Sequence, residues 1–363
     1  MLEFLDFEAL RSIGLRAPIL QQLNTLMLDP AVRLMRVVEL QREHLLLHDG
    51  QALARGRLDH ALIRLLDSGD DAVAVGDWVL GRPDPPLGWR VVDRLTPSTQ
   101  LSRRTNDGRG SPQRQVLVAN VDAALLVMGL DHDFNLRRLE RYLALVRLAG
   151  IAAALVLTKA DQAEPSLMAR RIEQASGCVP EGTPVFALDG RDPASAAALA
   201  PWLVAGQTLV LLGSSGAGKS TLTNTLTGQA LQYTGPVRDD DSRGRHTTTT
   251  RTLHRTPSGA CIIDTPGLRA LRLDVGDEQQ LQQVFGDIAR WATACRFRNC
   301  RHQEEPGCAV RAEVAPERVR NFHKLQREAK RDTLTALEKR EVVSQWKARG
   351  RAAAQRIRAK RSG

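Results

Sequence analysis

The hydrophobic pattern along the 363-residue chain changes character twice. Residues 1–30 read as a short, mostly helical lead-in whose role the pattern does not reveal. From about Ala31 to Leu101, short apolar stretches alternate with turn signals. His44–His48 and Gln51–Leu58 flank Asp49-Gly50, a two-residue hairpin turn, and Ala74–Leu80 and Trp89–Leu95 are further strand candidates. Short strands at this spacing predict a small antiparallel barrel, and the oligonucleotide-binding type fits. Its aromatic residues for stacking bases are only Trp78 and Trp89. Residues 102–115, polar with four Arg and two Gly, read as a linker or mobile loop.

Beyond that point apolar strands alternate with helices. The strands are expected at Ala123–Met128, Ala152–Leu157, Pro184–Ala187, Thr208–Leu212 and Ala260–Ile263. Helices are expected at Leu136–Leu148, Ser166–Ser176, Ala194–Leu203 and Lys219–Thr227. Continuous apolar strands separated by helices predict a doubly wound, mainly parallel α/β sheet. A Cys/His cluster follows at 295–308, then a helix-prone basic end. The expected organisation is a lead-in (1–30), a barrel (31–101), a linker (102–115), an α/β domain (116–275), a metal-binding helical domain (276–330) and a tail (331–363).

Charge sharpens the picture at one end. The net charge is +10, but from Arg318 to Gly363 there are 15 Lys and Arg against 4 Asp and Glu, while the first 317 residues hold 36 against 37. A near-neutral body with a basic tail favours an acidic partner such as nucleic acid. The acidic start (Glu3, Asp6) does not suit a signal peptide, and no apolar run approaches the roughly 18 residues of a membrane helix. Five cysteines, three of them clustered, suit a reducing compartment. A soluble, cytoplasmic monomer is expected.

Gly213-Ser214-Ser215-Gly216-Ala217-Gly218-Lys219-Ser220-Thr221 is a phosphate-loop pattern between a predicted strand and a predicted helix. Its glycines let backbone N–H groups turn inward around phosphates, and the helix N-terminus adds its positive dipole end. Lys219 is expected to reach the β- and γ-phosphates, and Ser220 to ligate Mg²⁺. The loop alone does not choose between ATP and GTP. A transporter ATPase would carry a Leu-Ser-Gly-Gly-Gln-like signature and an apolar strand ending in Asp-Glu, and neither is present. Instead an apolar strand ends at Asp264-Thr265-Pro266-Gly267, which places Asp264 near Mg²⁺ and the Gly267 amide near the γ-phosphate. Thr158-Lys159-Ala160-Asp161 resembles the Asn-Lys-x-Asp guanine-reading motif, with Thr158 in place of Asn. Asp161 can accept from guanine N1–H and its 2-amino group together, which adenine cannot offer. The guanine motif precedes the phosphate loop and Asp-x-x-Gly comes last, a circular permutation of the ordinary GTPase order.

The polar stretch from Tyr233 to Thr252 fits a switch loop that orders on the γ-phosphate. One Thr of 247–250, with Thr248 or Thr249 favoured, is expected to complete the Mg²⁺ shell. Leu268 stands where many GTPases have a water-orienting Gln, so His246 becomes the nearest chemically able candidate for catalysis. Cys295-x4-Cys300-x-His302-x5-Cys308 supplies three thiolates and an imidazole, a full tetrahedral shell for one structural zinc.

These features together resemble the RsgA (YjeQ) family of small ribosomal subunit biogenesis GTPases over roughly residues 33–330. The resemblance rests on Gln115–Asp122, the permuted motif order, Gly244–Thr249 and the Cys/His spacing. It implies an N-terminal oligonucleotide-binding barrel, a circularly permuted GTPase domain and a C-terminal zinc domain. It also implies GTP hydrolysis to GDP and phosphate, stimulated by the small (30S) ribosomal subunit and its rRNA during late maturation. Two other readings stay open at this point: an RNA-binding protein that holds nucleotide as a structural ligand, and a phosphate-loop ATPase.

Overall fold

The computed structural model describes residues 6–26, 29, 31–41, 44–69, 71–105, 113–229, 251–265 and 285–333. The chain divides into two compact units, one of Met1–Arg103 with Arg114–Leu271, the other of Arg104–Gln113 with Arg272–Gly363. Among the described residues no helix is long and apolar enough to cross a membrane.

The first unit opens with two short helices, Phe7–Arg11 (α1) and Ala17–Thr25 (α2), followed by strands Arg33–Leu40 (β1), Leu45–His48 (β2) and Leu53–Leu58 (β3). The predicted hairpin is present with a longer connection than the two residues expected: β2 and β3 pair antiparallel with His48 opposite Leu53, Asp49–Ala52 make the turn, Asp49 accepts the amides of Gln51 and Ala52, and Gly50 takes the left-handed conformation. Helix His60–Ser68 (α3), capped by Asp59, leads to Trp78–Asp84 (β4) and Gly88–Arg94 (β5). The strands run in the order β1-β2-β3-β5-β4, and β4 pairs back onto β1 to close a five-stranded barrel; it is not wholly antiparallel as expected, because β3 and β5, separated in the chain by α3 and β4, pair in parallel. Closure removes the open edges that such a small sheet would otherwise expose. Alternation along β1 serves two cores. Met35 and Val37 cluster with Leu45, Leu47, Val79 and Val91, whereas Leu34 joins Trp78 and Leu80 against Leu10, Ile13, Ile19 and Leu23 of the lead-in. Residues 6–26 thus supply a helical cover to the barrel.

Residues 102–115 are more than the linker their composition suggests. Gln100–Thr105 (β6) and Gln113–Ala119 (β7) pair as a two-stranded sheet, although 106–112 lie outside the described residues. The polar side chains that suggested a loop instead bond across the ribbon, Arg103 to Gln115 at 2.9 Å and Arg114 to Gln100 at 2.9 Å.

The α/β part follows the predicted alternation closely: Ala123–Gly129 (β8), Leu136–Leu148 (α4), Ala152–Thr158 (β9), Pro165–Ser176 (α5), Val185–Ala187 (β10), Ala194–Ala198 (α6), Thr208–Leu212 (β11), Lys219–Thr227 (α7), Thr252–Arg255 (β12) and Cys261–Asp264 (β13). The helix expected to reach Leu203 ends at Ala198, and a 3₁₀ turn over Ala200–Trp202, which contains Pro201, completes the stretch. Strand order is β10-β9-β8-β11-β13-β12, parallel except for β12. β12 then pairs with β1 at Thr252 and Glu39, so barrel and α/β sheet share eleven strands. The sequence pattern gave no sign of this continuity.

The joint is built on buried polar groups. Arg36 is fully buried and donates to the carbonyls of Ile13, Gly76 (3.3 Å) and Asn120 (3.2 Å), with its guanidinium over the Trp78 ring. Gly14 is required beside it, because a Cβ there would stand 1.8 Å from an Arg36 nitrogen. Asn120, at a φ of 53°, donates to Gly76 and accepts from Ser98, and Asp122 accepts the Thr208 amide and pairs with Arg16.

The second unit holds Gly286–Ala292 (α8), Ala309–Glu313 (α9) and Pro316–Thr333 (α10). Phe285 and Phe322 meet edge to face, and Arg318 forks onto Asp287 at 2.6 and 2.9 Å. Residues 334–363, most of the basic tail, lie outside the described residues.

Arg36→Met would keep bulk but leave three buried carbonyls without their charged donor. It should destabilise the first unit by about 3 kcal/mol, read as a lowered urea midpoint. An unchanged midpoint would mean that the joint does not depend on those bonds.

Candidate nucleotide site and metal centre

The C-terminal ends of β8, β9, β10, β11 and β13 meet along one edge of the sheet, the edge where open α/β sheets bind ligands. Register sets the alignment: Leu211 pairs with Asp264, Leu212 with Leu126, Gly129 with Thr158 and Leu157 with Ala187. The phosphate loop, the guanine motif and Asp264 therefore leave β11, β9 and β13 of one sheet at one level, despite their order in the chain.

In the phosphate loop, Gly216 and Gly218 have positive φ, and a Cβ on Gly213 would meet the Val127 carbonyl at 2.4 Å. The tip, Ser215-Gly216, is exposed, while Gly213, Ala217 and Lys219 are buried. Lys219 opens α7 and donates to the carbonyls of Gly213 (3.0 Å) and Ser214 (2.7 Å). Burial pulls its ammonium below the ordinary lysine range, and the carboxylates of Asp264 and Asp133 oppose the shift. Ser220 and Thr221 follow in the first turn of α7. Asp264 is buried at the end of β13, and Thr265 beside it donates to the Leu211 carbonyl at 2.7 Å.

Thr158 makes the link between the two nucleotide motifs. Its hydroxyl donates to the carbonyl of Ala217, inside the phosphate loop, at 2.7 Å. Lys159 adopts a φ of 62° and ion-pairs with Asp131 at 2.7 Å. Asp161 is partly exposed and lies 3.8 Å from Arg191. The loop after β10 lies against this motif, for the Ala160 amide donates to the Leu188 carbonyl and the Leu188 amide to that of Leu157. The stretch 187–189 thus stands beside Thr158–Asp161.

Two acidic residues escaped the sequence reading. Asp133 accepts from the Ser214 hydroxyl and from Arg138, and Asp131 holds Lys159. The available signal was Asp-x-Asp directly after an apolar strand. His246, Thr248 and Gly267 lie outside the described residues, as does Leu268.

In the second unit, Cys295, Cys300, His302 and Cys308 bring their ligand atoms within 4.8 Å of one another. Cys295 Sγ lies 3.6 Å from His302 Nδ1 and 3.9 Å from Cys308 Sγ, and Cys308 Sγ lies 3.5 Å from the same nitrogen. A tetrahedral zinc with Zn–S of about 2.3 Å requires S···S edges near ~3.8 Å, so the donor set fits. His302 reaches the cluster from a φ of 57°. Burial raises the Cys295 thiol pKa, but the amides of Val310 and Ala309, at the start of α9, outweigh it and leave the thiol below its ordinary value.

A family profile described as RsgA GTPase matches residues 95–274. The chain is 49% identical over 265 residues to the small ribosomal subunit biogenesis GTPase RsgA of Xanthomonas oryzae pv. oryzae (strain PXO99A), covering 70% of this chain and 69% of the relative. The RsgA of Xanthomonas axonopodis pv. citri is 48% identical over 267 residues, 71% of this chain and 70% of that one. In fold, the chain is similar to the crystal structure of YjeQ from Thermotoga maritima, with a TM-score of 0.59 at 22% identity over 82% of this chain and 98% of that one. It is also similar to YloQ, described as a circularly permuted GTPase, with a TM-score of 0.56 at 22% identity over 85% and 99%. With nearly half of its residues identical across more than two thirds of both chains, and with the permuted motifs meeting at one sheet edge, this chain belongs to the RsgA GTPase family.

Proposed function

We propose that the chain is a GTPase of small ribosomal subunit biogenesis that hydrolyses GTP to GDP and phosphate. The observation that carries this reading is the Thr158–Ala217 hydrogen bond, which ties a guanine-reading motif to a phosphate loop that follows it in the chain. Asp161 reads the base through its two donors, and Lys159 covers it with its stem. Gly213–Thr221 cradle the phosphates. Ser220 and Asp264 offer the hard oxygen donors that suit Mg²⁺, and these residues would hold it with GTP, with Thr248 from the switch segment. When bound, the ion neutralises charge on the transferring phosphoryl group.

The chain's own residues set the rate. Leu268 can neither orient water nor take a proton, so the resting enzyme is slow. His246 takes the water-positioning role once γ-phosphate and a partner order its segment. Cys295, Cys300, His302 and Cys308 hold one structural zinc. The partner is the small ribosomal subunit, bound through its rRNA with help from the basic tail, and the protein acts as a cytoplasmic monomer. The domain limits are those read from the sequence, with the α/β GTPase domain at 116–275 and the zinc domain at 276–330.

Asp161→Asn should weaken GTP and favour xanthosine triphosphate, because the amide donates where xanthine carries oxygen. Unchanged GTP affinity in a competition titration would remove Asp161 from the base site. Metal analysis should find one zinc per chain, lost in Cys300→Ala with a loosened second unit; a fully folded wild type without zinc would end the structural-zinc reading. Small subunits should accelerate hydrolysis by about 10³-fold or more, and large subunits should not. His246→Ala should still bind subunits with GTP but lose most of that acceleration, and equal acceleration would move the catalytic role elsewhere.

A further inference from the structure

A third loop, 130–135, stands between the guanine motif and the phosphate loop. Its place follows from the sheet. β8 lies between β9 and β11, so the chain leaving its C-terminal end runs between the loops that leave both neighbours. Two carboxylates on this loop reach in opposite directions. Asp131 Oδ2 accepts from Lys159 Nζ at 2.7 Å. Asp133 accepts the Ser214 hydroxyl and the Arg138 guanidinium on Oδ1, and the Gly129 amide at 3.1 Å on Oδ2.

The loop that carries them is itself fixed. Arg171 of α5 donates to the carbonyls of Leu130 and Asp131, the latter at 3.1 Å, and its guanidinium lies 5.1 Å from the centre of the Phe134 ring. The Asp133 amide donates to Asp131 Oδ1 at 3.1 Å, and Asn135 caps α4. A flexible lysine needs such a fixed partner. Lys159 sits in a left-handed conformation that L residues rarely adopt, on a stem with many rotamers, and such strain persists where surroundings over-determine it. The ion pair is itself about one quarter exposed on each side, so it contributes little to folding. Its consequence lies in where the ammonium is held.

We propose that the 130–135 loop is a two-point brace for the nucleotide, with Asp131 positioning Lys159 against the guanine base and Asp133 positioning the phosphate loop through Ser214. The inference rests on the guanine-nucleotide reading above and adds two positioning residues to it. Loss of Asp131 leaves Lys159 present but unaimed. Affinity for GTP and GDP then falls together, while the hydrolytic groups stay in place and kcat is kept. Asp133 acts the same way on the phosphate loop, whose second residue is Ser214.

Two double-mutant cycles on the full chain test this, read by titration with a fluorescent GDP analogue and by steady-state GTP hydrolysis. Asp131→Ala and Lys159→Ala should each weaken GDP by about tenfold, and the double variant by about tenfold rather than a hundredfold. For Asp131→Ala, KM for GTP should rise in step, with kcat within about twofold of wild type. Asp131→Asn, which keeps an acceptor for the ammonium, should recover part of the loss. The cycle of Asp133→Ala with Ser214→Ala should show the same sub-multiplicative loss of GDP affinity. Asn variants carry both cycles if the Ala variants do not fold. Losses that multiply in either cycle would remove that residue from the brace and overturn the two-point arrangement. A folded wild type that binds no GDP would overturn the guanine-nucleotide reading, and the brace with it.

Discussion

Arg36 keeps a full positive charge out of water, and its partners are three main-chain carbonyls. Desolvation lowers its pKa, and the carboxylate of Asp122 opposes the shift. The carbonyls belong to three segments far apart in the chain: the lead-in at Ile13, the barrel at Gly76 and the entry to the α/β sheet at Asn120. A planar guanidinium with five donors can satisfy several acceptors at once, where a lysine would present a compact point charge. Lead-in, barrel and nucleotide-binding sheet are assembled around that group, and the β1–β12 pairing extends the same joint through the main chain.

The nucleotide site depends on this frame because none of its parts is contiguous. A permuted chain must recover by strand order what it lost in sequence order. Parallel pairing in register does so, by bringing Thr158, Gly213 and Asp264 to the ends of three strands at one level. Side chains then tie the strand ends together. Thr158 stands where the guanine-reading pattern has Asn, and its hydroxyl reaches the Ala217 carbonyl directly, which ties the Thr158–Asp161 turn to the phosphate loop.

The candidate metal centre follows another logic. Its four donor residues fall within fourteen residues, so local chain geometry brings them together without help from a sheet. The left-handed backbone at His302 and the amides at the start of α9 complete that local arrangement. Such a site is legible in spacing, because ligand type and loop length together define it.

By itself the sequence determined the α/β elements, the hairpin at Asp49-Gly50, the phosphate loop and the Cys/His cluster, since periodicity, turn chemistry and short-range spacing act within a few residues. Strands such as Ala123–Gly129 and helices such as Leu136–Leu148 were legible because their burial pattern is local. Polar segments misled: 102–115 resembled a linker because cross-strand bonds such as Arg103–Gln115 leave no mark in composition. Only the tertiary structure decided that residues 6–26 cover the barrel, that β12 joins β1, and that Asp131 and Asp133 stand between the Thr158–Asp161 turn and the phosphate loop. Those outcomes depend on which distant groups find one another once water is excluded, and that choice is made by the whole packed chain.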